Sequence, residues 1–173
     1  MFGKMLAKQE EKQTGSAFSV VVRACVALLI AAIILLNVFT HVFQIVRYNG
    51  TGMEPNLHNK QTLVLLKTQK VEAGDIIAFY YNNQVLVRRV ICTGGSQIMI
   101  YEDGSVQVDT EMLEEPYLDQ PALGQCNITL PFYVQNGHVF VMGDNRTVAM
   151  DSRLSEVGTI PTERIIGKVM IAI

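Results

Sequence analysis

Two short stretches hold the residues whose types and spacing could do chemistry. In RYNGTGMEPNLHNKQ, residues 47–61, the candidates for nucleophile or base are Thr51 and His58. A hydroxyl attacks only when a base beside it takes its proton. Thr51 adjoins Gly52 in an extended loop, where neighbouring side chains point to opposite sides. His58 lies further along, with nothing to fix it near a hydroxyl. In MGDNRTVAMDSR, residues 142–153, Asp144 and Asp151 raise the possibility of a carboxylate dyad or a calcium loop. The D-[ST]-G pattern of aspartic proteases is absent, as is the alternation of oxygen ligands in an EF-hand. Arg146 and Arg153 stand nearby, so ion pairing is the expected role for both acids. Cys25, Cys92 and Cys126 form no CxxC pair, which argues against a zinc knuckle or a thioredoxin-type site. Cys92 and Cys126 would join only in an oxidising compartment and with their Cα atoms in disulfide reach. His41, His58 and His138 are scattered without metal-ligand spacing.

These residues must be positioned by the rest of a 173-residue chain, room for one ordinary domain and a small appendage. Only 17% of residues are charged and mean hydropathy is +0.25, which points to a segment in lipid. The net charge of −2 gives no basic footprint, so nucleic acid is not an expected partner. Between Arg23 and Arg47 there is no Asp, Glu, Lys or Arg. That run exceeds the roughly 20 apolar residues that cross a bilayer. Bulky Phe39, His41, Phe43 and Gln44 follow its core where a cleaved leader would show small residues, so the segment reads as an anchor. Lys4, Lys8, Lys12 and Arg23 outnumber Arg47 and Lys60 at the other end, which predicts a cytoplasmic N-terminus. The expected organisation is a cytoplasmic stretch at 1–23, a transmembrane anchor at 24–46 and an extracytoplasmic domain at 47–173.

Strand patterns dominate that domain. QTLVLLK reads as a strand, and DIIAFYY with QVLVRRVI as a hairpin around Asn82-Asn83. SQIMIY and SVQVD form a second hairpin around Asp103-Gly104, while HVFVM and IIGKVMIAI add two strands. Residues 110–137, with Pro116, Pro121, Gly124 and Pro131, read as a long irregular connection. The fold class expected is an all-β domain on a single N-terminal transmembrane helix.

Three blocks then occur in order: GMEPNL at 52–57, RRVICTGG at 88–95 and MGDNRTVAMDSR at 142–153. Together they resemble the type I signal peptidases, membrane-anchored serine proteases that remove signal peptides from exported proteins. The resemblance implies a signal peptidase-like β-fold and a serine attacking under a neutral lysine base. The serine opens a pattern SMxPTL, whose first position is Gly52 here. The lysine precedes the arginine of KRVIGLPGD, and its position is Arg88, with Arg89 the matching arginine. Glycine has no group that attacks, and an arginine with pKa above about 12 does not give up its proton. Ala149 stands where the family has a serine that orients the lysine, and Gly94 and Ser96 replace Pro and Asp of LPGD. Gly143, Asp144, Asn145, Arg146, Asp151, Ser152 and Arg153 match, and in the family these mainly brace the loops. Ser152 therefore has a scaffold role by resemblance.

Scaffold kept and chemistry lost is the pattern of a pseudoenzyme. An engineered substrate trap would need one change, so natural loss is the simpler account of several. Signal peptidases bind substrate as an added strand. The cleft positions correspond to Gly50, Met53, Leu57, Leu86 and Val87, with Arg88 expected to place a charge on the floor. The reading is a catalytically silent homologue that binds secretory preproteins or pilin-type subunits as an assembly factor for pili. The alternative is an active signal peptidase with a displaced nucleophile. No cofactor or metal is implied by the resemblance, and the lipid bilayer is an expected partner.

Overall fold

The computed structural model describes the backbone of residues 2–173 and the side chains of residues 20–173. Helix α1, Phe2–Val42, forms one compact unit and residues Phe43–Ile173 form another. Lys4, Lys8 and Lys12, on which the expected orientation rests, have side chains outside the described residues. Val20–Val42 is the part of α1 long and apolar enough to cross a membrane, with mean hydropathy 2.6. Its 23 residues rise about 35 Å, against about 30 Å of hydrocarbon. The apolar run changes structure at its end: β1, Phe43–Arg47, is a strand rather than the last turn of the anchor expected over 24–46. Pairing explains the switch, because Phe43 through Arg47 run antiparallel to Leu66 through Thr62 of β2, Thr62–Leu66.

The second unit is all-β. Beyond β2 come β3 (Ile76–Tyr81), β4 (Gln84–Thr93), β5 (Gln97–Ile100), β6 (Val106–Val108), β7 (Glu111–Met112), β8 (Phe132–Tyr133), β9 (His138–Met142), β10 (Ile160–Pro161) and β11 (Ile165–Ala172). One sheet has the order β1-β2-β11-β3-β4-β9-β10 and the other β7-β6-β5-β8. All the pairings are antiparallel. Asn82 and Asn83 both have positive φ, 44° and 61°, which fits the tight turn joining β3 to β4. At the second hairpin only Gly104 does, with φ 87°; the Gly104 N–H donates to the Tyr101 carbonyl, giving a turn closed by a glycine bulge. The stretch 110–137 is mostly irregular but contributes the short strands β7 and β8.

The core has three parts. In β3, Ile77 and Phe79 pack with Val90, Val139, Val141 and Ile160, whereas Ala78 packs with Met53, Leu63, Leu65 and Val87. Successive β3 residues thus feed opposite faces of the large sheet. A third cluster, around Ile98, Val106, Phe140 and Met142, joins the small sheet to the large one. Cys92 belongs to that third cluster, and Cys92 and Cys126 are free thiols.

Candidate functional site

The loop between β1 and β2 is closed at its base by two backbone bonds, Tyr48 N–H to Gln61 O at 2.8 Å and Lys60 N–H to Tyr48 O at 2.8 Å. Tyr48 turns inward, and its hydroxyl accepts the Met53 N–H at 3.0 Å. Met53 and Leu57 fill the core beneath, with the Leu57 N–H donating to Met53 O at 2.9 Å. This anchoring presents Gly52 to the loop that follows β9. There the Asn145 N–H donates to Gly52 O at 3.0 Å. Gly143 must be glycine, because a Cβ would collide with both Gly52 O and the Ala149 methyl.

Arg88, on β4, meets Gly52 from the other side. A Cβ placed on Gly52 would lie 3.2 Å from Arg88 Cζ, 3.2 Å from Nη2 and 3.3 Å from Nη1. Near-equal distances to three guanidinium atoms mean that the planar group lies flat against the glycine. Its Nε donates to Met150 O at 2.9 Å and its Nη1 to Val87 O at 2.6 Å. Arg88 is 6% exposed and, among the described residues, has no carboxylate partner. Burial lowers its pKa from the ordinary value, partly opposed by Asp151 and Tyr48. Burial raises the Tyr48 hydroxyl, with the Arg88 charge pulling the other way. The charge expected on an open cleft floor is instead folded against the backbone of Gly52.

The acids and arginines brace the surrounding loops in an arrangement that differs in part from expectation. Asp151 pairs with Arg153 as its position suggests: Nε donates to Oδ1 and Nη2 to Oδ2, both at 2.8 Å. The Gly143 N–H also donates to Asp151 Oδ2 at 2.8 Å. Asp144 pairs not with Arg146 but with Arg89, through Nε at 2.8 Å and Nη2 at 2.6 Å. Arg89 lies 3.9 Å over the Tyr117 ring, and Asn56 donates to Asp144 Oδ2 at 2.8 Å. Arg146 bonds Glu115 through both terminal nitrogens. Glu115, Tyr117, Tyr48 and Asn56 were not singled out in the sequence. A charge count does not single out Glu115: the motif blocks already hold three acids, Glu54, Asp144 and Asp151, for four arginines, of which Arg88, among the described residues, takes no carboxylate.

Other expected residues are placed as follows. Ser152 is buried, and its Oγ accepts the Val141 N–H at 3.0 Å. Thr51 and His58 are exposed. In this site, among the described residues, no serine or threonine hydroxyl is bonded to an amine or imidazole. Met53, Leu57 and Val87 share one buried cluster, with exposures of 0%, 3% and 1%. Leu86 does not join them; it points to the opposite face, beside Phe79 and Val90, because neighbouring strand residues alternate. Gly50 is exposed. Gly94 is tied to the approach of another segment, since a Cβ there would run into the Gln135 carbonyl and the Asn136 backbone. Among the described residues, no group of three or more His, Cys, Asp or Glu side chains could hold a metal ion.

Comparison with known proteins places these features in context. Residues 21–173 match the family described as "Signal peptidase, peptidase S26". A signal peptidase I of Bacillus amyloliquefaciens is 28% identical over 170 residues, covering 92% of this chain and 91% of that protein. A signal peptidase I of Bacillus licheniformis is 31% identical over 155 residues, 82% of each chain. The crystal structure of a signal peptidase I from Enterococcus faecalis V583 superposes with a TM-score of 0.50 at 27% identity, covering 58% of this chain and 97% of that one.

Proposed function

Because the chain belongs to the signal peptidase family, peptidase S26, we propose that it is a non-catalytic member that binds secretory or pilin-type polypeptides and assists their assembly. The observation that carries this reading is the contact between Gly52 and Arg88. Where the family resemblance expects a hydroxyl beside a neutral amine, this chain has a bare Cα against a guanidinium held by two carbonyls. Neither group exchanges a proton near neutral pH. The braces around them are intact, with Asp151–Arg153 and Arg89–Asp144 both formed. A scaffold maintained around an empty centre supports a binding role. With α1 as anchor, the N-terminus is cytoplasmic and residues 47–173 act outside the membrane, at the bilayer surface where exported chains emerge.

The test uses the full-length chain in detergent micelles with a secretory preprotein. The natural sequence leaves the preprotein uncut, since loss of a serine nucleophile lowers hydrolase turnover on the order of a millionfold. Gly52→Ser with Arg88→Lys restores a hydroxyl and a titratable amine. Gly52 lies outside the left-handed region, so its backbone accepts serine. The lysine also removes the guanidinium that crowds the new Cβ. Cleavage by the natural sequence would establish the displaced-nucleophile reading instead. For the assembly role, a pilin or secretory precursor co-purifies from membranes; an empty pull-down removes that role.

A further inference from the structure

The register of β4 leaves part of it without a second neighbour. Gln84 through Arg89 pair with Tyr81 through Ile76 on one side, whereas β9 takes up pairing on the other only from Arg89 onward. Residues 84–88 are therefore a free strand edge among the described residues. Alternation decides which groups face it. In a two-residue hairpin the pair flanking the turn, Tyr81 and Gln84, exchanges both bonds, and every second pair after it does the same. Gln84, Leu86 and Arg88 thus direct their backbone groups to β3, and Val85 and Val87 direct theirs outward. The outward carbonyl of Val87 is not vacant: Arg88 Nη1 donates to it at 2.6 Å. The same guanidinium reaches the Met150 carbonyl, in the loop after β9, at 2.9 Å. Arg88 consequently ties the edge of β4 to the opposite loop and lies across the path of any strand that would pair there.

Resting on the reading that this chain binds extended polypeptide, we infer that Arg88 is a latch on the β4 edge, and that a peptide pairs with Val85 and Val87 only after displacing its bond to Val87 O. The missing side chain of Gly52 belongs to the device. A Cβ there would meet the guanidinium at 3.2 Å, so glycine gives the arginine its seat. The absent nucleophile and the substituted base are one structural unit. Arg88 sets affinity and selectivity: an incoming strand must outcompete a charge-assisted bond, which favours long segments making several backbone bonds over short ones.

The experiment titrates the full-length chain in detergent micelles with a fluorescein-labelled decapeptide centred on Ala-Gln-Ala, read by anisotropy. Backbone amide exchange at Val85 and Val87 is read in parallel. Arg88→Ala frees the Val87 carbonyl and binds the peptide about tenfold tighter or more, the ratio corresponding to about 1.4 kcal/mol. Binding slows exchange at Val85 and Val87. Arg88→Lys, whose single ammonium does not span both carbonyls, falls between the two and serves if the alanine variant loses its tyrosine near-ultraviolet dichroism. Equal affinity in the natural chain and a folded variant overturns the latch while leaving peptide binding in place. Tighter binding without slowed exchange at Val85 and Val87 overturns it too, because the peptide then sits elsewhere. No binding by any form overturns the polypeptide-binding reading and the latch with it.

Discussion

Replacing Asp151 with alanine tests whether the loop at 143–153 is held by its buried ion pair. Asp151 and Arg153 are both fully buried, with side-chain exposures of 0%. Four donors converge on the carboxylate: Gly143 N–H, Arg153 N–H, Arg153 Nε and Arg153 Nη2. Removing it leaves the guanidinium without a counter-ion, a change that costs about 3–5 kcal/mol. Against a total stability of roughly 5–15 kcal/mol, that is a large fraction. Arg153 would keep its bonds to Leu123 O at 2.6 Å and Arg146 O at 2.9 Å, so the loss is local in origin. The assay is urea unfolding of the full-length chain in micelles, followed by the near-ultraviolet dichroism of its tyrosines. Arg153→Met and the double variant Asp151→Ala with Arg153→Met complete a double-mutant cycle. The two single losses exceed the double by about 2–3 kcal/mol, since residues in one polar network couple on that scale. Additivity within about 0.5 kcal/mol would refute the reasoning, as would an Asp151→Ala loss below about 1 kcal/mol.

Two further perturbations probe the same unit. Gly143→Ala forces a Cβ against Gly52 O and the Ala149 methyl, and overpacking of this kind costs about 1–3 kcal/mol; melting temperature measures it, and an unchanged value would contradict the close approach. Burial pushes the Cys92 thiol up to about 12 from 9.0. At pH 8 maleimide therefore labels half-buried Cys126 well before Cys92, as peptide mass mapping reads. The folded chain keeps the Cys92 proton while the unfolded chain loses it above pH 9, so this contribution to stability is complete below 9 and disappears as pH rises toward 12. Labelling of Cys92 as fast as Cys126 in the folded chain would exclude this burial.

Much of the fold was readable from residue order because its causes are local. Alternating β-branched and aromatic residues around Asn82-Asn83 specify the β3–β4 hairpin, and a 23-residue apolar stretch needs no tertiary partner to be helical in lipid. The family was legible for the same reason: three short blocks in fixed order, GMEPNL, RRVICTGG and MGDNRTVAMDSR, carry the resemblance without any tertiary information. Strand β1 was not legible, since Phe43 to Val46 continue the uncharged run of the helix before them and become a strand only by pairing with β2. Nor was the partner of Arg146, because Glu115 lies 31 residues away in an irregular stretch.

Residue types alone pointed to a membrane-length helix, a β-rich domain and the signal peptidase family, with Gly52 and Arg88 standing in its motif blocks. Folding in three dimensions decided where the arginine went. Its guanidinium did not project into an open groove; it lay down on Gly52 and bonded the carbonyls of Val87 and Met150. The physical reason is that a buried cation without a carboxylate takes whatever oxygens surround it, and backbone oxygens from β4 and a distant loop become neighbours only once the sheet is assembled.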